Sequence, residues 1–250
     1  VRGATRLGAQ YGVRVSLSTD QQIDAIRRHG LGIATAAQAN LGQPVQHCPG
    51  WSVADLVWHV TNVYWFWGTI AREKLSGPPD ESRRPARPPD DQLVPTFQAG
   101  VRDFVDVLRD AKPKTKVWTW AEKQHQNIAF IIRHQVQEAL VHQWDVCRSA
   151  GRAWSTVPEV AVDCVDEFLE ISVSGELGGE LVLHSTDTGD SWILSDGKKG
   201  LEIKRGKGAR PPKVAASSAG LLLWLYGRID LGYDGPPELM ARFRELCNTS

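Results

Sequence analysis

Methionine is nearly absent from this 250-residue sequence, cysteine is sparse, and net charge is missing altogether. The four cysteines, Cys48, Cys147, Cys164 and Cys247, contain no C-x-x-C pair. That excludes a zinc knuckle or a redox dithiol and leaves reduced, small, largely apolar side chains as their reading. Lysine plus arginine (29) equals aspartate plus glutamate (29), so there is no basic field to gather nucleic acid or an anionic membrane surface. No apolar run approaches the roughly 20 residues that cross a bilayer, and the opening VRGATRLGAQYGVRVSLS lacks the apolar core of a secretory signal, so a cytoplasmic location is expected. Val1 begins the chain and the lone methionine is Met240, which points to an unusual start codon or a processed end. H-E-x-x-H is also absent, which removes the metalloprotease reading. A small-molecule substrate is the first expectation.

What is present divides in two by periodicity. Ser18, with Gln21 three residues on, opens a helix through Ile23, Ile26, Ile33 and Leu41, weakened in the middle by Gly30 and Gly32. Ser52 and Asp55 open a second, running to about Leu75. The proline- and charge-rich segment Ser76 to Asp91 reads as a long connector. Phe97, Val101, Phe104, Val105 and Leu108 share one face of a third helix, and a fourth is expected from about Glu122 to Cys147, with Gly151 at its exit. Four such helices with one long connection make a four-helix bundle. Beyond Trp154, a helix from about Pro158 to Ser172 leads into alternating strands with turns at Thr188-Gly189 and Asp196-Gly197, an antiparallel meander. Helices from Ser217 to Gly227 and over PPELMARFREL follow. The expected fold class is α+β in two domains: an extension over 1–17, the bundle over 18–151, and a smaller α+β domain with an antiparallel sheet over 152–250.

Chemistry concentrates in VQEALVHQWD, Val136 to Asp145. At about 100° per residue, Glu138 and His142 lie roughly 40° apart and one turn along the helix from each other. They sit at the edge of the apolar stripe Ile128, Ile132, Val136 and Ala139. His59 has Leu56, Val63, Phe66 and Ile70 at offsets −3, +4, +7 and +11, which predicts a buried imidazole on the second helix. A lone histidine on such a face is more often a satisfied core residue than a ligand. Meeting a Glu/His pair on another inward face, it completes two histidines and a carboxylate with an open fourth position, a catalytic zinc set. His134 turns further from the stripe and reads as a supporting or solvated residue. Asp145 could orient a neighbour through a hydrogen bond, but a surface position is the expected one. Trp58, Tyr64, Trp65 and Trp67 read as packing and interface residues, with a homodimer surface in view.

CPGWSVADLVWHV, followed some eighty residues later by EALVHQWD, resembles the mycothiol-dependent maleylpyruvate isomerase family of DinB-like metal-binding bundles. The C-terminal half, through SSAGLLLWLYGRIDLG, is similar to that family's sterol-carrier-like domain. The resemblance implies zinc, or another divalent metal, on His59, Glu138 and His142, and a catalytic role for Arg228. A plain cation at a helix C-terminus and a clamp for a substrate carboxylate are the other readings of Arg228. It further implies mycothiol as cosubstrate, held by the metal as a thiolate that attacks a small electrophile in an isomerase or an S-transferase. Two other readings remain open at this point. One is a noncatalytic binding or regulatory module whose metal is structural; the other is a non-haem iron enzyme that oxidises thiols on the same bundle.

Overall fold

The computed structural model describes residues 17–198, 200–207 and 210–248, so most of the expected 1–17 extension lies outside the described residues. Helix α1 (Thr19–Ala37) starts where expected, with Gln21 N donating to Ser18 Oγ and Ser18 N donating to Gln21 Oε1. Helix α2 (Val53–Glu73) uses the same reciprocal device between Ser52 and Asp55 and ends on Lys74 in the left-handed region at φ 54°.

From there the connector runs back along the outside of α2. Arg83 pairs with Glu73, the Arg84 guanidinium lies 4.9 Å from the Trp65 ring centre, and Arg87 donates to Asp55 at 2.8 Å. This return lets α3 (Asp90–Asp110) run parallel to α2, with Tyr64 stacked on Phe97 and Phe104 and Arg72 paired with Asp103. Helix α4 (Ile128–Ser149) begins later than the expected Glu122. Lys123–His125 turns as a short 3-10 segment, and Asn127 caps the helix by accepting from Phe130 N at 3.0 Å.

Glycines in α1 allow a close approach rather than merely weakening the helix. A Cβ on Gly30 would meet both Val101 methyls at 3.1 Å and the Tyr64 hydroxyl at 3.3 Å. Although alanine is the better helix former, Gly30→Ala is expected to cost about 1–3 kcal/mol through overpacking, as read by urea denaturation. A stabilised variant would contradict this account of the α1/α2/α3 contact.

The rest of the chain is α5 (Pro158–Ser172), β1 (Glu180–Ser185), β2 (Asp190–Gly197), β3 (Gly200–Lys207), β4 (Lys213–Ala216), α6 (Ser218–Leu225), β5 (Tyr233–Asp234) and α7 (Pro237–Leu246). Strand order is β3-β2-β1-β4-β5. The meander β1-β2-β3 is antiparallel as expected, but β4 pairs parallel with β1, Val182 opposite Lys213 through Ser185 opposite Ala216. The sheet is therefore mixed, which corrects the antiparallel expectation: a strand that crosses to the far edge leaves no tight-turn signature. The second turn also falls later than Asp196-Gly197. Asp196 stays in β2, and its carboxylate accepts from Leu177 N and Gly178 N.

One hydrophobic cluster runs from α1 to α7, with Trp192, Phe168 and Phe243 fully buried. Tyr64 (2% exposed) and Trp67 (6%) belong to it, so neither can face a second subunit; Trp58 and Trp65 remain partly exposed. No helix among the described residues is long and apolar enough to cross a membrane.

Candidate metal centre

Helices α2 and α4 bring together the three residues chosen by periodicity. His59 Nε2 and His142 Nε2 each lie 3.3 Å from Glu138 Oε1, and the three candidate ligand atoms all fall within 4.8 Å of one another. The two imidazole rings meet edge to face at 5.4 Å. His59 is not buried, however, because its side chain keeps 37% of its exposure. The buried face of α2 centres on Val57, Val60, Tyr64 and Trp67, which leaves His59 at its rim rather than its middle. Glu138 at 23% and His142 at 12% lie deeper. The Trp51 ring stands 5.0 Å from His59 and is itself 37% exposed, forming one side of the opening.

Asp145 departs most from its expectation. Its side chain is fully buried instead of facing solvent. His142 Nδ1 lies 3.1 Å from Asp145 Oδ2, while Arg228 Nε and Nη2 donate to Oδ1 and Oδ2 at 3.1 and 3.0 Å. Arg228 Nη1 donates to Tyr226 O at 3.0 Å. The guanidinium, placed just beyond α6, thus clamps a carboxylate that fixes the imidazole with Nδ1 inward and Nε2 towards Glu138.

These contacts set the charges. Burial alone would raise the Glu138 carboxyl, but His142 and then His59 outweigh it and hold the group well below the usual carboxylate range. Burial opposes the His142 imidazolium, but Glu138 and Asp145 push it up to about 9. Asp145 is lowered: burial opposes its charge, and bonds from His142 and Arg228 overcome that. A raised histidine stabilises the fold fully below its unfolded pKa of about 6.5 and loses that contribution as pH rises through about 9. A lowered carboxyl contributes fully above about 4.5 and loses its part only in stronger acid. From this pair, chelator-treated protein is expected to melt highest between about pH 5 and 6.5 and to weaken towards pH 9. Melting curves across that range measure it, and an unchanged melting temperature up to pH 9 would contradict the charged pair.

Cys48 was not chosen from sequence, yet its sulfur joins His142 and Asp145 in a second cluster within 4.8 Å. Burial, followed by Asp145, raises its thiol to about 11, with Arg228 only partly offsetting, so it is protonated at neutral pH. A cation there would also face the Arg228 guanidinium across Asp145, so the His59, Glu138 and His142 set is the better ligand group. His134 lies outside both clusters, with Nδ1 2.9 Å from Glu167 Oε1.

Comparison with known proteins supplies the family. The model of the mycothiol maleylpyruvate isomerase N-terminal domain matches residues 23–147. The crystal structure of a mycothiol-dependent maleylpyruvate isomerase superposes with a TM-score of 0.57 at 14% identity, covering 85% of this chain and 90% of that one. A mutant of that isomerase gives 0.53 at 13% identity, with coverage of 85% and 90%. At such identities the likeness shows the fold. No curated protein matches. The matched region takes in the bundle helices with His59, Glu138, His142 and Asp145 and amounts to half of the sequence, so the chain belongs to the mycothiol maleylpyruvate isomerase N-terminal domain family.

Proposed function

We propose that this chain is a zinc-dependent enzyme that uses mycothiol as thiol cosubstrate, with isomerisation of a small conjugated electrophile of the maleylpyruvate kind as its reaction. The observation that carries the reading is the placement of both histidine nitrogens against one carboxylate oxygen. A tetrahedral zinc with bonds of about 2.0–2.2 Å needs ligand atoms roughly 3.3–3.6 Å apart. His59 Nε2 and His142 Nε2 meet that requirement against Glu138 Oε1 at 3.3 Å each. Two histidines and one carboxylate are a donor set that would suit zinc, and a zinc held by three protein ligands would have room for an external one.

A divalent ion there supplies the positive charge that keeps an external thiol deprotonated at neutral pH. The chain's own residues do the rest. Glu138 offsets part of the ion's charge, and Asp145 holds the His142 tautomer whose Nε2 is a lone-pair donor. Arg228 keeps Asp145 ionised and is a positioning residue that acts through it. Of its five N–H groups, three are committed to Asp145 and Tyr226. With Cys48 protonated, no cysteine of the chain competes as nucleophile. The same site would serve S-transfer, in which the thiol remains attached. A reduced cosubstrate and free cysteines suit a cytoplasmic enzyme. We assign the bundle and the α+β unit to separate domains joined near Gly151, with Arg228 reaching from the second to the first.

The test is isomerisation of maleylpyruvate by zinc-loaded protein with and without mycothiol. Turnover that needs both zinc and thiol is the expected result. Zinc that stays bound while mycothiol has no effect would favour a structural metal, and oxygen uptake by iron-loaded protein with thiol would favour the oxidase reading.

A further inference from the structure

One ion pair beside the metal centre, His134 with Glu167, takes no part in holding the metal. His134 precedes Glu138 by four residues on α4, so it lies on the same side of the helix, about 6 Å further towards its start. Its Nδ1 is held by Glu167 of α5 at 2.9 Å, and Glu167 is 1% exposed while His134 keeps 19%. Gln137 Nε2 donates to the other Glu167 oxygen, which fixes the carboxylate. The His134 ring stacks on Phe130 at 5.6 Å with 6° between planes, and Trp120 closes its edge at 5.3 Å. Every degree of freedom of the imidazole is thus set, yet among the described residues Nε2 makes no hydrogen bond.

A strut between α4 and α5 would not need this arrangement. Two apolar side chains of similar size would join the helices without the desolvation of a carboxylate. A carboxylate on Nδ1 with a free Nε2 is instead the arrangement of an oriented acid–base imidazole. Burial opposes its protonation, but Glu167 and then Glu138 outweigh that and raise His134 above its ordinary value. Glu167 and Glu138 also act on the Tyr226 phenol, which burial keeps protonated, and Arg133, beside His134 in the chain, pairs with Asp163 and Glu170.

We propose that His134, oriented by Glu167, is the proton donor and acceptor of the isomerisation, acting on the carbonyl oxygen of the conjugated substrate. The inference rests on the isomerase reading. When the thiolate forms its carbon–sulfur bond, the π pair of the double bond moves to the carbonyl oxygen, which takes the Nε2 proton. Rotation about the new single bond follows. His134 then takes the proton back, the double bond re-forms, and the carbon–sulfur bond breaks to return the thiolate. No proton or electron is gained or lost over the cycle.

The experiment compares two reactions of the zinc-loaded full chain: isomerisation of maleylpyruvate, and alkylation of mycothiol by iodoacetamide. Alkylation needs a thiolate but no proton donor. His134→Gln is expected to lower kcat for isomerisation by about 10²-fold, with KM for mycothiol and zinc content unchanged, while alkylation continues. Glu167→Gln leaves the imidazole in place and should give a smaller loss of the same kind. Isomerisation kept within a few-fold in both variants would overturn the proposal, as would a parallel fall in both reactions together with the melting temperature. Wild-type protein that alkylates mycothiol but isomerises nothing would instead overturn the isomerase reading beneath it.

Discussion

Glu138→Ala is expected to lose its bound metal from a full equivalent to background, and with it all mycothiol-dependent turnover. Glu138 Oε1 is the common neighbour of His59 Nε2 and His142 Nε2, so its removal takes away one ligand and the anion that offsets the metal's charge. The same change removes the leading charge that holds His142 up at about 9, so the histidine should titrate lower in the variant. Elemental analysis and a histidine titration followed by NMR read the two effects separately. Glu138→Asp, shorter by about 1.5 Å, should retain metal at reduced affinity. A variant lacking the carboxylate that still binds zinc stoichiometrically and turns over would mean that the metal sits elsewhere.

Asp145→Ala is expected to be the most destabilising single change near the site, at about 3–5 kcal/mol, because it leaves a buried guanidinium without its carboxylate. Arg228 is only 14% exposed and commits two N–H groups to Asp145. His142 would lose its Nδ1 partner at the same time, which should cost about 10–100-fold in metal affinity. Urea denaturation of chelated protein gives the first effect and competition with a zinc chelator the second. Combining Asp145→Ala with Arg228→Met removes both charges, so the double variant should be less destabilised than Asp145→Ala alone while its zinc affinity stays low. Additive losses of stability would show that the pair does not act as a unit.

The fold was legible where local chemistry declares itself. Both reciprocal caps, at Ser18 with Gln21 and at Ser52 with Asp55, and the helix over Pro158–Ser172 follow from short-range rules. The parallel pairing of β4 with β1 does not, because it depends on a crossing with no sequence period of its own. Within the site, helical periodicity could place Glu138 beside His142, and an apolar face could point His59 towards them. It overestimated the burial of His59, since an apolar neighbour at +7 or +11 shares a direction but does not say whether another helix covers it. Asp145 was misjudged for a related reason. An aspartate at the end of an apolar run looks solvated until Arg228, 83 residues later, is seen to neutralise it. His134 and Glu167, 33 residues apart on α4 and α5, are paired only by the packing of one helix against the other.

An external thiol should meet a metal held by His59, Glu138 and His142. Cobalt-loaded protein tests this most directly, because a thiolate bound to cobalt adds a charge-transfer band in the near ultraviolet. Titration with mycothiol should produce that band with release of a proton, and Glu138→Ala, loaded in parallel, should show neither. A wild-type spectrum unchanged by saturating mycothiol, with no proton released, would contradict the account.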